Sequence, residues 1–226
     1  MRDVWVAALG VAVAAASPTP GAAGSTGRLA GRVELVAKGL ARTANASVYA
    51  SRMVTRPSVP SARDPRDVVI AVAAPAGGTV PVAEREIVQR NETFLPHVTA
   101  VTVGSSVTFP NDDPWYHNVF SLSRAGTFDL GRYPQGETRT RTFKTAGVVK
   151  VYCNLHANMS ATIVVLAHPY FATPDADGRF AIDGVPAGTF TVKLWHERAG
   201  ATERRVEIRA GMTTTLDALL PVADEQ

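Results

Sequence analysis

The chain has 226 residues, of which 46% are hydrophobic and 19% charged, with a formal net charge of +3. Those proportions are ordinary for a soluble folded protein, and the length suits one large domain or two small ones. Its 23 Lys and Arg residues are scattered rather than clustered, which leaves nucleic-acid binding unsupported.

Arg2 precedes an apolar run from Val4 to Ala16, followed by Ser17-Pro18-Thr19-Pro20 and small residues able to accept cleavage. The pattern predicts an export signal over residues 1–23, cut after Ala16 or after Ala23. The run is shorter than the ~20 apolar residues of a membrane-spanning helix, and no later stretch is long enough to span. No cysteine lies near the cleavage region, so a lipid-anchored form is excluded. The expected product is soluble and exported, most simply to a bacterial periplasm.

Beyond the signal the pattern is β almost throughout, in short Val/Ile/Thr/Phe-rich runs divided by Gly, Pro and Asp turns. Residues 28–82 offer strands at Arg28–Leu35, Ala46–Ala50 and Val68–Ala73, with a Pro-, Ser- and Arg-rich loop at Thr55–Arg66. These strands either precede the next domain or pair with C-terminal ones. Residues 83–168 offer Glu86–Phe94, Val98–Val103, Ser106–Phe109, His117–Leu122, Thr127–Leu130, Thr138–Phe143, Val148–Tyr152 and Ala161–Ala167, enough for a two-sheet sandwich. Residues 169–222 read as a smaller β domain, with strands at Thr191–Trp195, Arg205–Ile208 and Thr213–Leu219. Asp175 and Asp177 before Gly178 resemble the start of a calcium loop, but its later acidic ligands are missing and a turn is the better reading.

The chemistry concentrates in Cys153-Asn154-Leu155-His156-Ala157-Asn158-Met159, which sets a thiolate, an imidazole and a thioether at short spacing between two strands. Upstream, His117 opens a strand after the turn Asn111-Asp112-Asp113-Pro114, which would bring it to the same end of the sandwich. Two imidazoles, one thiolate and a weak axial thioether form the ligand set of a blue-copper centre. Cys153 is the only cysteine, so it has no partner for an internal disulfide. Zinc is the competing metal, but a thioether favours copper and structural zinc sites carry four stronger ligands. A cysteine hydrolase is the enzymatic rival, and it lacks a local nucleophile signature. His97, His168 and His196 read as surface or interface residues.

On these residues the segment of about 84–168 resembles the cupredoxins, the plastocyanin and amicyanin class, in the bacterial plastocyanin-like form often labelled methylamine-utilisation proteins. Val103-Gly104-Ser105-Ser106-Val107-Thr108-Phe109-Pro110-Asn111 and His117-Asn118-Val119-Phe120-Ser121 carry the resemblance together with the Cys-x2-His-x2-Met loop. It implies an all-β architecture with a Greek-key sandwich and one mononuclear type 1 copper held by His117, Cys153, His156 and Met159. It further implies that the backbone N–H of Asn118 bonds the Cys153 sulfur, and that His156 is the electron port, with Trp115 and Tyr116 near its apolar rim. The tail resembles a carboxypeptidase regulatory-like, transthyretin-type β domain through Asp177-Gly178-Arg179-Phe180 and Val185-Pro186-Ala187-Gly188-Thr189-Phe190. Gly31-Arg32-Val33 and Ala46-Ser47-Val48 fit the opening strands of such a domain. The expectation is a one-electron carrier between unknown redox partner proteins. It is not expected to be an enzyme, because all four coordination positions are filled. A copper-storage or structural module is the alternative.

Overall fold

A computed structural model describes residues 26–37, 64–75 and 80–223. The expected signal, the strand at Ala46–Ala50 and most of the Thr55–Arg66 loop lie outside the described residues.

The strands are β1 (Thr26–Ala37), β2 (Val69–Val72), β3 (Glu84–Glu86), β4 (Val88–Arg90), β5 (Thr93–Leu95), β6 (Val98–Thr102), β7 (Ser106–Pro110), β8 (His117–Ser123) and β9 (Gly126–Tyr133). They continue as β10 (Thr138–Thr142), β11 (Gly147–Tyr152), β12 (Ser160–Leu166), β13 (Phe171–Ala172), β14 (Arg179–Pro186), β15 (Gly188–His196), β16 (Gly200–Ile208), β17 (Thr213–Thr215) and β18 (Ala218–Val222). The only helical turn among the described residues is a 3-10 turn at Pro65–Asp67. The protein is all-β.

Two sandwiches result. In the first, a sheet ordered β10-β7-β3 faces one ordered β6-β12-β11-β8-β9. Strand alternation explains the arrangement. Val107 and Phe109 of β7, and Val149 and Val151 of β11, point inward while their neighbours point out. Their shared core includes Phe94, Val119, Tyr133, Phe143 and Ile163, and each fully buried side chain of this size stabilises by about 1.5–3 kcal/mol. Cys153 and Met159 belong to the same core.

In the second sandwich, β1 pairs antiparallel with β14 and parallel with β17, then parallel with β18 along its second half. The opposing sheet is ordered β13-β2-β15-β16. Leu29, Val33, Ile70, Ile182, Leu194 and Leu220 fill the space between them. Gly31 permits the tight approach of β1 to the segment after β17. A Cβ there would stand 1.9 Å from the Leu216 carbonyl oxygen, while Leu216 N–H donates to Ala30 O at 2.9 Å. Both ends of the described chain thus meet in one sheet. β2 and β13 pair directly, with Ala71 opposite Phe171 and Ile70 opposite Ala172. The chain leaves this sandwich at β2 and returns beside it at β13, after building the first sandwich.

The sandwiches pack on each other through Val69, Val98, Ala100 and Val164, with Leu166, Phe171 and Trp195 against them. This contact accounts for the near-continuous burial of Ala161–Val165: one face of β12 lies on its own core and the other under the second sandwich. Two expected strands are broken. Glu86–Phe94 contains a hairpin, β4 and β5, whose turn residues Asn91 and Glu92 both have φ of 53°. Glu92 occupies a position that normally takes glycine, so the turn lacks its usual sequence signal. Thr213–Leu219 splits into β17 and β18 around Asp217, whose carboxylate accepts from Arg32 N–H at 2.8 Å. Asp175 does form a turn, its Oδ1 accepting from the N–H groups of Asp177 at 3.0 Å and Arg179 at 2.8 Å.

Candidate metal centre

At one end of the first sandwich, β11 delivers Cys153 and β12 begins just after Met159. The loop between them is drawn into a compact turn by two backbone bonds. Met159 N–H donates to His156 O at 3.1 Å, and Cys153 N–H donates to Met159 O at 3.2 Å. The loop therefore carries all three of its candidate ligands within one closed turn.

His117 reaches the same point from the start of β8. Its approach is fixed by the turn before it, where buried Asn111 donates through Nδ2 to Trp115 O at 2.8 Å and Tyr133 O at 3.1 Å, and accepts from Asp113 N–H at 3.0 Å. His117 Nε2 donates to Asp113 Oδ2 at 2.8 Å. That bond keeps the proton on Nε2 and turns the Nδ1 lone pair toward the loop. Asp113 also accepts from the N–H groups of Asn91 at 2.6 Å and Glu92 at 2.8 Å. Burial pushes its carboxyl up, but the bonds from Glu92 N–H, His117 and Asn91 N–H outweigh that and hold it below its ordinary value.

The donor atoms converge. His117 Nδ1 lies 3.1 Å from His156 Nδ1, and Cys153 Sγ lies 3.9 Å and 3.8 Å from these two nitrogens. The centre of that triangle is about 2.1 Å from each corner, close to the roughly 2.0–2.3 Å that imidazole nitrogen and thiolate sulfur keep from a first-row metal ion. Among the described residues this is the group of His, Cys, Asp and Glu side chains arranged to hold a metal. His117 is fully buried, Cys153 and Met159 nearly so, while the His156 side chain is 25% exposed. Glu92 Oε1 stands 4.0 Å from His156 Nε2 on the solvent side. A soft thiolate, two imidazoles and a buried thioether nearby fit copper better than a hard cation.

Three exposed apolar side chains flank the ligands in sequence, Trp115 and Tyr116 just before His117 and Leu155 just before His156. Trp115 and Tyr116 are 55% and 58% exposed. Asn118 is buried next to His117, but its side-chain amide donates to Asp129 Oδ1 at 2.7 Å and Gly131 O at 3.2 Å, tying β8 to β9. Sequence reasoning missed Asp113 as the partner of His117; it had served only as part of the turn. His97, His168 and His196 stand away from the centre. His97 pairs with Glu197 at the junction of the sandwiches, His196 is buried there, and His168 stacks on Tyr170.

Several solved structures similar to this chain are cupredoxins. A purple cupredoxin from Nitrosopumilus maritimus is 26% identical, with a TM-score of 0.34, over 36% of this chain and 99% of that one. An amicyanin variant in the Cu(I) state is 17% identical, with a TM-score of 0.35, over 43% of this chain and 98% of that one. A copper-containing nitrite reductase from Thermus scotoductus is 24% identical, with a TM-score of 0.35, over 42% of this chain and 25% of that one. This last likeness corrects the expectation that the chain is not an enzyme. A filled ligand shell closes one metal ion to substrate and says nothing of the rest of a protein. The likeness gives this chain no reaction of its own. The family described as "Polysaccharide lyase family 4, domain II" matches residues 158–216, from the end of the metal loop into the second sandwich. That is well under half of the chain, and the description differs from the transthyretin-type domain expected of the tail. No curated protein matches the sequence.

Proposed function

We propose that this chain is an exported type 1 copper protein that passes single electrons between periplasmic redox partners. The observation that carries the reading is the convergence of His117 Nδ1, His156 Nδ1 and Cys153 Sγ, with Met159 buried at the end of the same loop. His117, Cys153 and His156 would hold the ion strongly and Met159 weakly, each from a strand end or a closed turn that resists movement. Copper supplies a one-electron couple when bound. The protein's part is to keep the ligands still, since a site that barely rearranges exchanges electrons quickly. His117 is held by Asp113; the expected bond from the backbone N–H of Asn118 to the Cys153 sulfur is not formed, and Asn118 instead ties β8 to β9 beside the ligands. His156, the exposed ligand, would be the port through which electrons enter and leave, with Leu155 just before it in the chain and Trp115 and Tyr116 just before His117.

The apolar run from Val4 to Ala16 supports export, and among the described residues no helix is long and apolar enough to cross a membrane. We assign residues 83–168 to the copper-binding domain, and residues 28–82 with 169–222 to a transthyretin-like partner domain.

The test is the visible absorption spectrum of the purified protein after Cu(II) addition, beside that of Cys153→Ser. An intense thiolate-to-copper band, lost in the variant, supports the assignment. A colourless protein that still takes up one equivalent of copper overturns the electron-transfer role and leaves storage or structural copper in its place.

A further inference from the structure

Away from the metal centre, a dense polar cluster lies where the two sandwiches meet. Glu197 opens the turn after β15 in the second sandwich. Its carboxylate accepts from His97 Nε2 at 3.0 Å, from Thr162 Oγ1 at 3.1 Å and from Lys150 Nζ. Lys150 Nζ also reaches Thr162 Oγ1 at 3.2 Å. Thr162 is fully buried and the three charged side chains are mostly covered, so this is no ordinary surface ion pair.

The cluster grips both strands that carry the metal loop. Lys150 on β11 and Thr162 on β12 face each other, two residues inside the Tyr152–Ser160 pair that closes the loop and therefore on the same side of the sheet. His97 adds a third hold. Its Nδ1 donates to Ser160 O at 3.2 Å, and its own carbonyl accepts from Thr162 N–H at 2.8 Å. Ser160 directly follows Met159. Both ring nitrogens of His97 face acceptors only, an arrangement that suits the imidazolium and matches the upward push on its pKa from the bond to Glu197. The second sandwich therefore contacts the root of the metal loop through one carboxylate.

We propose that Glu197 is a positioning residue for the metal loop: through Lys150, Thr162 and the His97–Ser160 bond, the second sandwich clamps the root of Cys153–Met159 and holds its ligands converged before metal arrives. Preorganisation of this kind is how a supporting shell sets a ligand geometry. Only the spectroscopic half of the test below rests on the copper reading.

The variants are Glu197→Gln, which removes the charge at constant shape, and His97→Phe, which removes the link to Ser160. Glu207→Gln is the control, since it breaks the Glu207–Arg209 pair at 3.3 Å at the opposite end of the β15–β16 hairpin, where Glu207 pairs in register with Thr189. Amide hydrogen exchange on the full metal-free protein reads the loop directly, because the N–H groups of Cys153 and Met159 are both bonded. In Glu197→Gln and His97→Phe these two amides should exchange about tenfold faster, with both cores still protected and the control unchanged. Wild-type exchange in the loop overturns the proposal, and so does a loss of protection spread evenly over both cores. With Cu(II) added, the two variants should shift the thiolate-to-copper band and the copper hyperfine coupling, whereas spectra identical to wild type overturn the proposal. A protein that shows no such band in any form sinks the copper reading alone, and the exchange result still decides the clamp.

Discussion

His117 Nε2 donates to Asp113 Oδ2 at 2.8 Å, with both side chains buried. The bond fixes which ring nitrogen is free to bind metal, and Asp113 in turn is anchored by the Asn91–Glu92 turn. Asp113→Ala should lower metal affinity by about 10–100-fold, measured by competition with a chelator. It should also cost about 1–3 kcal/mol of stability, because two backbone N–H groups lose their acceptor. Unchanged affinity would show that the carboxylate does not orient the imidazole.

Met159 is buried in the first core, so Met159→Leu keeps the volume and should cost less than about 1.5 kcal/mol. The coloured band should survive, since thiolate and imidazoles remain. The reduction potential should rise, because losing a sulfur donor disfavours the more oxidised ion. Voltammetry decides it: a potential that stays put removes Met159 from the ligand set.

Trp115 and Tyr116, which directly precede His117, expose more than half of their surface. Replacing both with lysine should change stability by no more than about 0.5 kcal/mol, as befits exposed positions. Electron self-exchange, which brings two apolar ports together, should slow markedly as the new charges repel. NMR line broadening in mixtures of oxidised and reduced protein measures that rate, and an unaltered rate would move the port elsewhere.

Stability should vary with pH through the junction of the sandwiches. Burial pushes the Asp67 carboxyl from an ordinary 3.8 up to about 6. Its contribution is fully present below pH 3.8 and is lost as pH rises through about 6, because the folded protein keeps a proton the unfolded chain has released. The bond to Glu197 raises His97 as well, so its contribution is present below 6.5 and fades as pH climbs past its folded value. Glu197 has the opposite sense. The bond to His97 holds it at about 2, and its stabilisation is lost as pH falls from 4.5 toward that value. Melting temperature should therefore peak in mild acid and decline toward alkaline pH. Asp67→Asn should remove the part of the decline that lies between 3.8 and about 6; a profile parallel to wild type there would assign the effect to other groups.

The closed turn from Cys153 to Met159 was legible because it is local: its residues are close in sequence, and strand runs on either side fix where the turn sits. His117 was legible through the proline-bearing turn that starts its strand. Asp113 was not. Asp112 and Asp113 look alike in sequence, and only the fold of the turn decides that one faces His117 while the other pairs with Arg90. The hairpin at Asn91–Glu92 was hidden by the glutamate at a left-handed position. The junction cluster had no local signal at all, because Lys150, Thr162, His97 and Glu197 meet only through strand register and the packing of one sandwich on the other. Pairing of β1 with the C-terminal strands was one of two readings the sequence left open.

The pairing of β1 with β14, β17 and β18 imposes a schedule on the chain as it emerges end-first from a ribosome or an export channel. Arg32 and Val33 find their first partners only when Gly178 and Arg179 appear, Thr26 only with Pro186, and the second edge of Val33 only with Ala218. At roughly 5–20 residues per second, β1 waits on the order of ten seconds or more with Leu29 and Val33 uncovered. The first sandwich, whose strands run unbroken from β3 to β12, can close in the meantime. The first sandwich can thus stand while its neighbour is still an orphan strand, its loop gaining the hold of Glu197 only after β15 has emerged, and the uncovered β1 is the segment a chaperone would need to shield.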